Sequence, residues 1–257
     1  MTTELDPRIA ALRASHDHLL SIGESLTPQQ LRESGYPSEW TIAQVLSHLG
    51  SGAEIGLLTL DAGLAGAEPP ARESLPAIWE RWNNKTPDDQ AADSLRTNTA
   101  YVERIEANAD STATFMSWAG PVDLGRLVGM RLAELAMHTW DVDVMLDPGA
   151  TVLPDAVPYM LNVIGRMIGF VAKPVDWSGV LHVTTSNPAH EYALTLGEKS
   201  SLVDWPGSGV SADATLTLPA EAFVRLLYGR LDADHTPAGV TAEGLTLDEL
   251  RAIFPGF

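Results

Sequence analysis

The sequence predicts a four-helix bundle over residues 1–150 followed by a small α+β domain over residues 151–257. Three observations carry this prediction. Apolar residues recur at three- and four-residue steps through the first part; Asp147-Pro148-Gly149 forms a strong helix stop; beyond it the chain turns to short alternating segments rich in β-formers.

The first predicted helix carries Leu5, Ile9, Leu12, His16, Leu19 and Gly23 on one face. His16 lies within that apolar stripe, where a hydrogen-bonded core histidine is favoured over a site residue. In the second helix, Thr41 can cap the free N–H groups while Gln44 reaches back, and Trp40 and Val45 occupy staple positions. Its apolar face runs through Ile42, Leu46, Leu49, Ala53, Leu57 and Leu60, with His48 at the border. Gly50, Gly52 and Gly56 each cost up to about 1 kcal/mol relative to alanine in a helix interior. Close approach of a neighbour or ligand would offset that cost.

After a Pro/Gly/Ala-rich loop, a helical stretch over 75–109 is expected to break near Pro87. A fourth long helix is expected from Asp123 to the Asp147-Pro148-Gly149 stop. Four long helices in this order suit an up-and-down bundle, while the loop lengths leave other all-helical arrangements open. The second part is expected to begin with a helix over 155–171. Strands over 180–185, 192–196 and 214–218, an amphipathic helix over 219–231, and a short helix capped by Thr246 and Glu249 complete it.

Composition narrows the function. The chain carries 16 Lys plus Arg against 34 Asp plus Glu, a formal charge of -18. That balance disfavours nucleic acid and anionic membrane surfaces as partners. No apolar run approaches the roughly 18 residues that suggest a membrane span. The N-terminus lacks the basic-then-apolar pattern of a secretory signal, so a cytoplasmic location is expected. An exposed apolar patch is not readable from sequence, so the oligomeric state stays open, with a monomer slightly favoured. There is no cysteine, so any thiol chemistry needs an external thiol, and any metal must be held by His, Asp and Glu.

Arg131, Glu134, His138 and Asp141 fall on one stripe of the fourth helix, among Leu127, Val128, Met130, Leu132, Leu135, Met137, Trp140, Val142 and Val144. A helix that apolar elsewhere should be largely buried, and its polar stripe then needs a metal or a polar cavity to satisfy it. The same spacing also fits a stripe that simply faces water. Glu134 and His138 are four residues apart and can share one ion, with His48 as the third ligand from a facing helix. Two imidazoles and a carboxylate leave a zinc ion one position short of four. Asp141 can orient an imidazole or contact substrate, or it can pair with Arg131 or another arginine.

The run Trp40-Thr41-Ile42-Ala43-Gln44-Val45-Leu46-Ser47-His48-Leu49, followed by Arg131-Leu132-Ala133-Glu134-Leu135-Ala136-Met137-His138-Thr139-Trp140-Asp141, resembles the DinB-like mycothiol-dependent maleylpyruvate isomerase family. The resemblance covers nearly the whole chain. It implies a DinB-like metal-binding bundle, a sterol-carrier-like second domain, and His48, Glu134 and His138 as ligands of zinc or another divalent first-row metal. It also implies an arginine of the second domain near the site, for which Arg230 in Leu227-Tyr228-Gly229-Arg230 is the candidate and Arg225 the substitute. Arg230 would serve catalysis and cofactor binding, and Asp141 catalysis.

Joined to this chemistry, the expected activity is a metal-dependent activation of the mycothiol thiol for attack on a small electrophile. The outcome would be S-transfer or thiol-dependent cis/trans isomerisation. Two alternatives stay open at this point. One is a hydrolase using zinc and water on the same ligands, which needs Asp141 or His16 as base. The other is a non-catalytic protein that binds a small ligand in its second domain.

Overall fold

The computed structural model describes residues 6–117, 120–207 and 209–256. The chain divides into two compact units, residues 1–150 and 151–257. Leu5, which opens the predicted stripe of the first helix, lies outside the described residues.

The first unit holds four long helices: α1 (Pro7–Ser25), α2 (Ile42–Ala65), α4 (Pro87–Glu106) and α5 (Leu124–Asp143), with the short α3 (Leu75–Asn83) before α4. Their starts are fixed by local chemistry. Asp6 caps α1, Thr41 and Gln44 close a reciprocal capping box on α2, Thr86 caps α4 ahead of Pro87, and Asp123 caps α5. α2 packs on both α4 and α5, and α1 packs on the same two helices, so the four enclose one core. Ile9, Leu12, Leu19, Leu46, Leu49, Ile105, Leu132 and Leu135 fill it.

The glycines of α2 are explained by neighbours. Gly50 lies under the Trp82 ring and Gly56 under the Tyr101 ring, and at Gly52 an added Cβ would stand 2.9 Å from Arg131 Nη1. A side chain at these positions would push α2 away from α4 and α5, at a cost greater than that of glycine in a helix. α5 stops at Asp143, short of the expected Asp147-Pro148-Gly149. Val144, Met145 and Leu146 continue only as turns, and Trp140 Nε1 donates to the Ala150 carbonyl at 2.9 Å to tie the end down. A two-strand hairpin, β1 (Phe115–Ser117) and β2 (Gly120–Val122), precedes α5. It is too short to show a period in the sequence, and its Phe115 is wholly buried.

The second unit opens with two helices, α6 (Val157–Gly165) and α7 (Ile168–Val171), where one was expected. Its sheet has the order β5-β4-β3-β6-β7, built from β3 (Gly179–Ser186), β4 (His190–Leu196), β5 (Ser201–Asp204), β6 (Ala214–Pro219) and β7 (Thr241–Glu243). β6 runs parallel to β3 and every other pair is antiparallel. The edge strands β5 and β7 were missed because short edge strands bury too little to alternate clearly.

The helix expected over 219–231 is α8 (Ala220–Leu227), shorter than expected and buried on its polar face as well as its apolar one. All of its residues are buried, including Glu221 and Arg225. Its charges are enclosed because they satisfy each other: Arg225 Nε and Nη2 donate to the two Glu221 carboxylate oxygens at 2.7 and 2.9 Å. α9 (Leu247–Ile253) ends the unit with the Thr246–Glu249 capping box. Among the described residues, no helix is long and apolar enough to cross a membrane.

Candidate metal centre

His48 sits in the second turn of α2, and Glu134 and His138 sit one turn apart in the middle of α5. The packing of α2 on α5 brings one ligand atom from each within 4.8 Å of the others. His48 Nε2 lies 3.4 Å and His138 Nε2 3.7 Å from the same Glu134 oxygen, Oε2. The two imidazoles meet edge to face, with ring centroids 4.6 Å apart.

Asp141 stands behind this group. Its side chain is fully buried, and Oδ2 lies 2.8 Å from His138 Nδ1. With Nδ1 donating to that carboxylate, the Nε2 lone pair is left facing the cluster, which is the orientation a metal-ligating imidazole requires. Of the options the sequence left open for Asp141, this contact favours orienting the imidazole over pairing with Arg131. Trp40 occupies a staple position and opens the run that carries the family resemblance. Its half-exposed indole lies over the imidazoles, at 5.4 Å from the His48 ring and stacked 6.4 Å from the His138 ring. Its place just before the α2 cap, two turns from His48, was the signal that could have revealed this.

The electrostatics suit ligation. Burial alone would raise the Glu134 pKa, but the His48 hydrogen bond and the positive fields of His138, His48 and Arg131 outweigh it and hold the carboxyl at about 2. Burial pushes the His48 imidazole below its usual value; the Glu134 contact opposes that, and the fields of His138 and Arg131 reinforce it. An ionised carboxylate and a neutral imidazole are the forms that bind metals. Two nitrogens and one carboxylate oxygen suit zinc or a neighbouring first-row ion and leave a position open.

Arg131, one turn before Glu134, is buried between α2, α4 and α5. Nη2 donates to the Leu49 carbonyl at 2.9 Å and also to Asn98 Oδ1. His16 is enclosed in the core, with Nε2 2.9 Å from Thr99 Oγ1 and Nδ1 3.1 Å from Asp17. It is the satisfied core histidine its stripe suggested. Arg230 belongs to the second unit, where its Nη1 donates to the Tyr228 carbonyl at 2.8 Å. Arg225 is committed to Glu221 and to the His235 carbonyl, the latter at 2.8 Å.

Comparison with known proteins adds three findings. A family model described as the mycothiol maleylpyruvate isomerase N-terminal domain matches residues 12–143. A crystal structure of the mycothiol-dependent maleylpyruvate isomerase superposes with a TM-score of 0.67 at 15% identity, covering 93% of this chain and 93% of that one. A histidine-to-alanine mutant of that isomerase gives 0.66 at 16% identity with the same coverage. No curated protein matches the chain significantly.

Proposed function

The chain belongs to the mycothiol maleylpyruvate isomerase N-terminal domain family, and from that premise we propose that it is a mycothiol-dependent enzyme acting on a small electrophile, with a divalent ion held by His48, Glu134 and His138. The observation that carries this reading is the convergence of those three side chains from α2 and α5, with Asp141 fixing one imidazole from behind.

A zinc ion held there supplies Lewis acidity, which lowers the pKa of a thiol that reaches it and makes thiolate available at neutral pH. The protein's own groups do the rest. Glu134 contributes a charge that stays ionised at working pH, Asp141 keeps the His138 proton on Nδ1, and Trp40 shields one side of the imidazoles. The chain holds no cysteine, so the reacting sulfur comes from the cofactor. Addition of that sulfur to an activated double bond, rotation about the resulting single bond and expulsion of the same sulfur isomerise a substrate. Displacement of a leaving group transfers the sulfur instead. We assign Arg230, from the resemblance, to contact with the thiol or the acceptor, and the cytoplasm as the site of action.

The hydrolase alternative loses support from the geometry. His16 is bonded to Thr99 and Asp17, and Asp141 is enclosed against His138, so neither stands ready as a base. Metal analysis combined with absorption spectroscopy tests the proposal. The purified protein should retain one divalent ion, and the cobalt-substituted form should develop a sulfur-to-cobalt charge-transfer band when mycothiol is added. Ester hydrolysis by a metal-loaded protein that binds no mycothiol would sink it.

A further inference from the structure

We propose that the second unit holds a binding site for a small zwitterion, of the class of an α-amino acid with an apolar side chain, in the cleft between α6 and the strands β4 and β5. The site is built from residues outside the metal centre and goes beyond the activity proposed above.

The cleft has a volume of about 440 Å³, within the range of small-molecule sites. α6 forms one wall, and the paired strands β4 and β5 form the other. Leu161 of α6 and Leu202 of β5 supply its apolar part. Side chains two apart on a strand share a face, so Asp204 lies on the same side of β5 as Leu202. Directly across from Asp204 in the register is Tyr192, which lines the same cleft. The His190 ring lies beside that of Tyr192, with centroids 4.4 Å apart. Arg166, the residue that ends α6, lines the helix side.

The polar groups around this cleft are unspent. Arg166 makes one long contact, from Nε to Asn162 Oδ1 at 3.3 Å, and no carboxylate stands within ion-pair distance of it among the described residues. Asp204 uses Oδ1 alone, 2.8 Å from His190 Nε2, and its Oδ2 has no donor among the described residues. The Tyr192 hydroxyl has no partner there either; burial first and the charge of Asp204 second raise its pKa, so it keeps its proton and can donate. A cation and an anion thus line one cavity without closing on each other, unlike Arg225 and Glu221. An occupant with a carboxylate for Arg166, an ammonium group for Asp204 and an apolar body over Leu161 and Leu202 is complementary to all three features. Both polar contacts are then charge-assisted hydrogen bonds. A plain anion would leave Asp204 facing a like charge, and a plain cation would do the same to Arg166.

Calorimetry on the full-length, metal-loaded protein tests the site. The probe is L-phenylalanine, compared with hydrocinnamate, which lacks the ammonium group, and phenethylamine, which lacks the carboxylate. L-Phenylalanine should bind at least about 10-fold more tightly than either analogue. Arg166→Met and Asp204→Asn, both at exposed positions that leave the core intact, should each weaken it about 10-fold or more, and Tyr192→Phe should weaken it less. Because an amino acid can also ligate a metal, the titration is repeated on His48→Ala. Equal affinity there supports the cleft, and loss of binding overturns it by placing the probe at the metal centre. The proposal is equally overturned by no binding up to about 10 mM probe, by an affinity no better than that of the analogues, or by unchanged affinity in both Arg166→Met and Asp204→Asn.

Discussion

Arg131 in the bundle and Arg225 in the second unit are both buried arginines on helices, and they have opposite surroundings. Arg225 is saturated: Nε and Nη2 grip Glu221 in a two-point contact, and Nη1 donates to the His235 carbonyl. Arg131 meets one carbonyl and one amide oxygen, and its Nε has no acceptor. A saturated buried pair holds a fold together, because removing either partner strands a charge. Arg131 is held instead by neutral oxygens, with Glu134 as the carboxylate whose charge offsets its burial. The same contrast separates the units: the polar stripe of α5 converges on an open cluster, whereas the charges of α8 close on each other.

The largest effect expected from this contrast lies at the cluster. His48→Ala and His138→Ala each remove one of three donors. Metal content after gel filtration should fall from about one ion per chain to near zero, with little change in far-UV dichroism. Full metal retention in both variants would remove the bundle from the functional side of the comparison.

Next in size is Glu221→Ala, which strands Arg225. Denaturant unfolding should show a loss of about 3–5 kcal/mol, while metal content stays as in the wild type. A loss below about 1 kcal/mol would mean the pair is not the structural element described here.

Asp141→Asn should act more gently. The side chain keeps its shape but loses the charge that holds the His138 proton on Nδ1, so metal affinity should drop about 10- to 100-fold by competition with a chelator. Unchanged affinity would reduce Asp141 to a packing residue.

The smallest effect is the pH dependence of the metal-free protein. The Glu134 pKa is held at about 2, below its unfolded value. The carboxylate therefore contributes stability that is fully present above the unfolded pKa and is lost as pH falls from there toward about 2. Because its side chain is 53% exposed, solvent screening should keep the contribution under about 1 kcal/mol. Urea midpoints measured from pH 6 down to pH 2.5 should show a shallow excess slope that Glu134→Gln abolishes. An equal slope in the variant would assign it to other carboxylates.

Much of this was legible in the residues. The starts of α2, α5 and α9 could be read because a cap is a contact among residues three apart. The neighbourhood of Glu134 and His138 followed from helix geometry for the same reason. The β1–β2 hairpin and the edge strands β5 and β7 were not legible because strands of three or four residues bury too little to show a period, and the premature end of α5 depends on the Trp140 contact with the Ala150 carbonyl beyond the helix. The enclosure of α8 was misread because Glu221 and Arg225 look like surface charges until their mutual contact is seen. Trp40 was legible as a staple residue and as the start of the Trp-to-His48 run, while its position over the imidazoles depends on where α5 packs.

The sequence by itself determined the donor types, their spacing on each helix, the caps that set helix phase, and the lack of an internal thiol. Those are properties of composition and of interactions within a turn or two of chain. Only the tertiary structure decided that His48 meets Glu134 and His138, that Asp141 faces His138, and that Gly52 makes room for the Arg131 guanidinium. Each of these depends on which faces of α2, α4 and α5 pack together, and that choice is made by burial of the whole core.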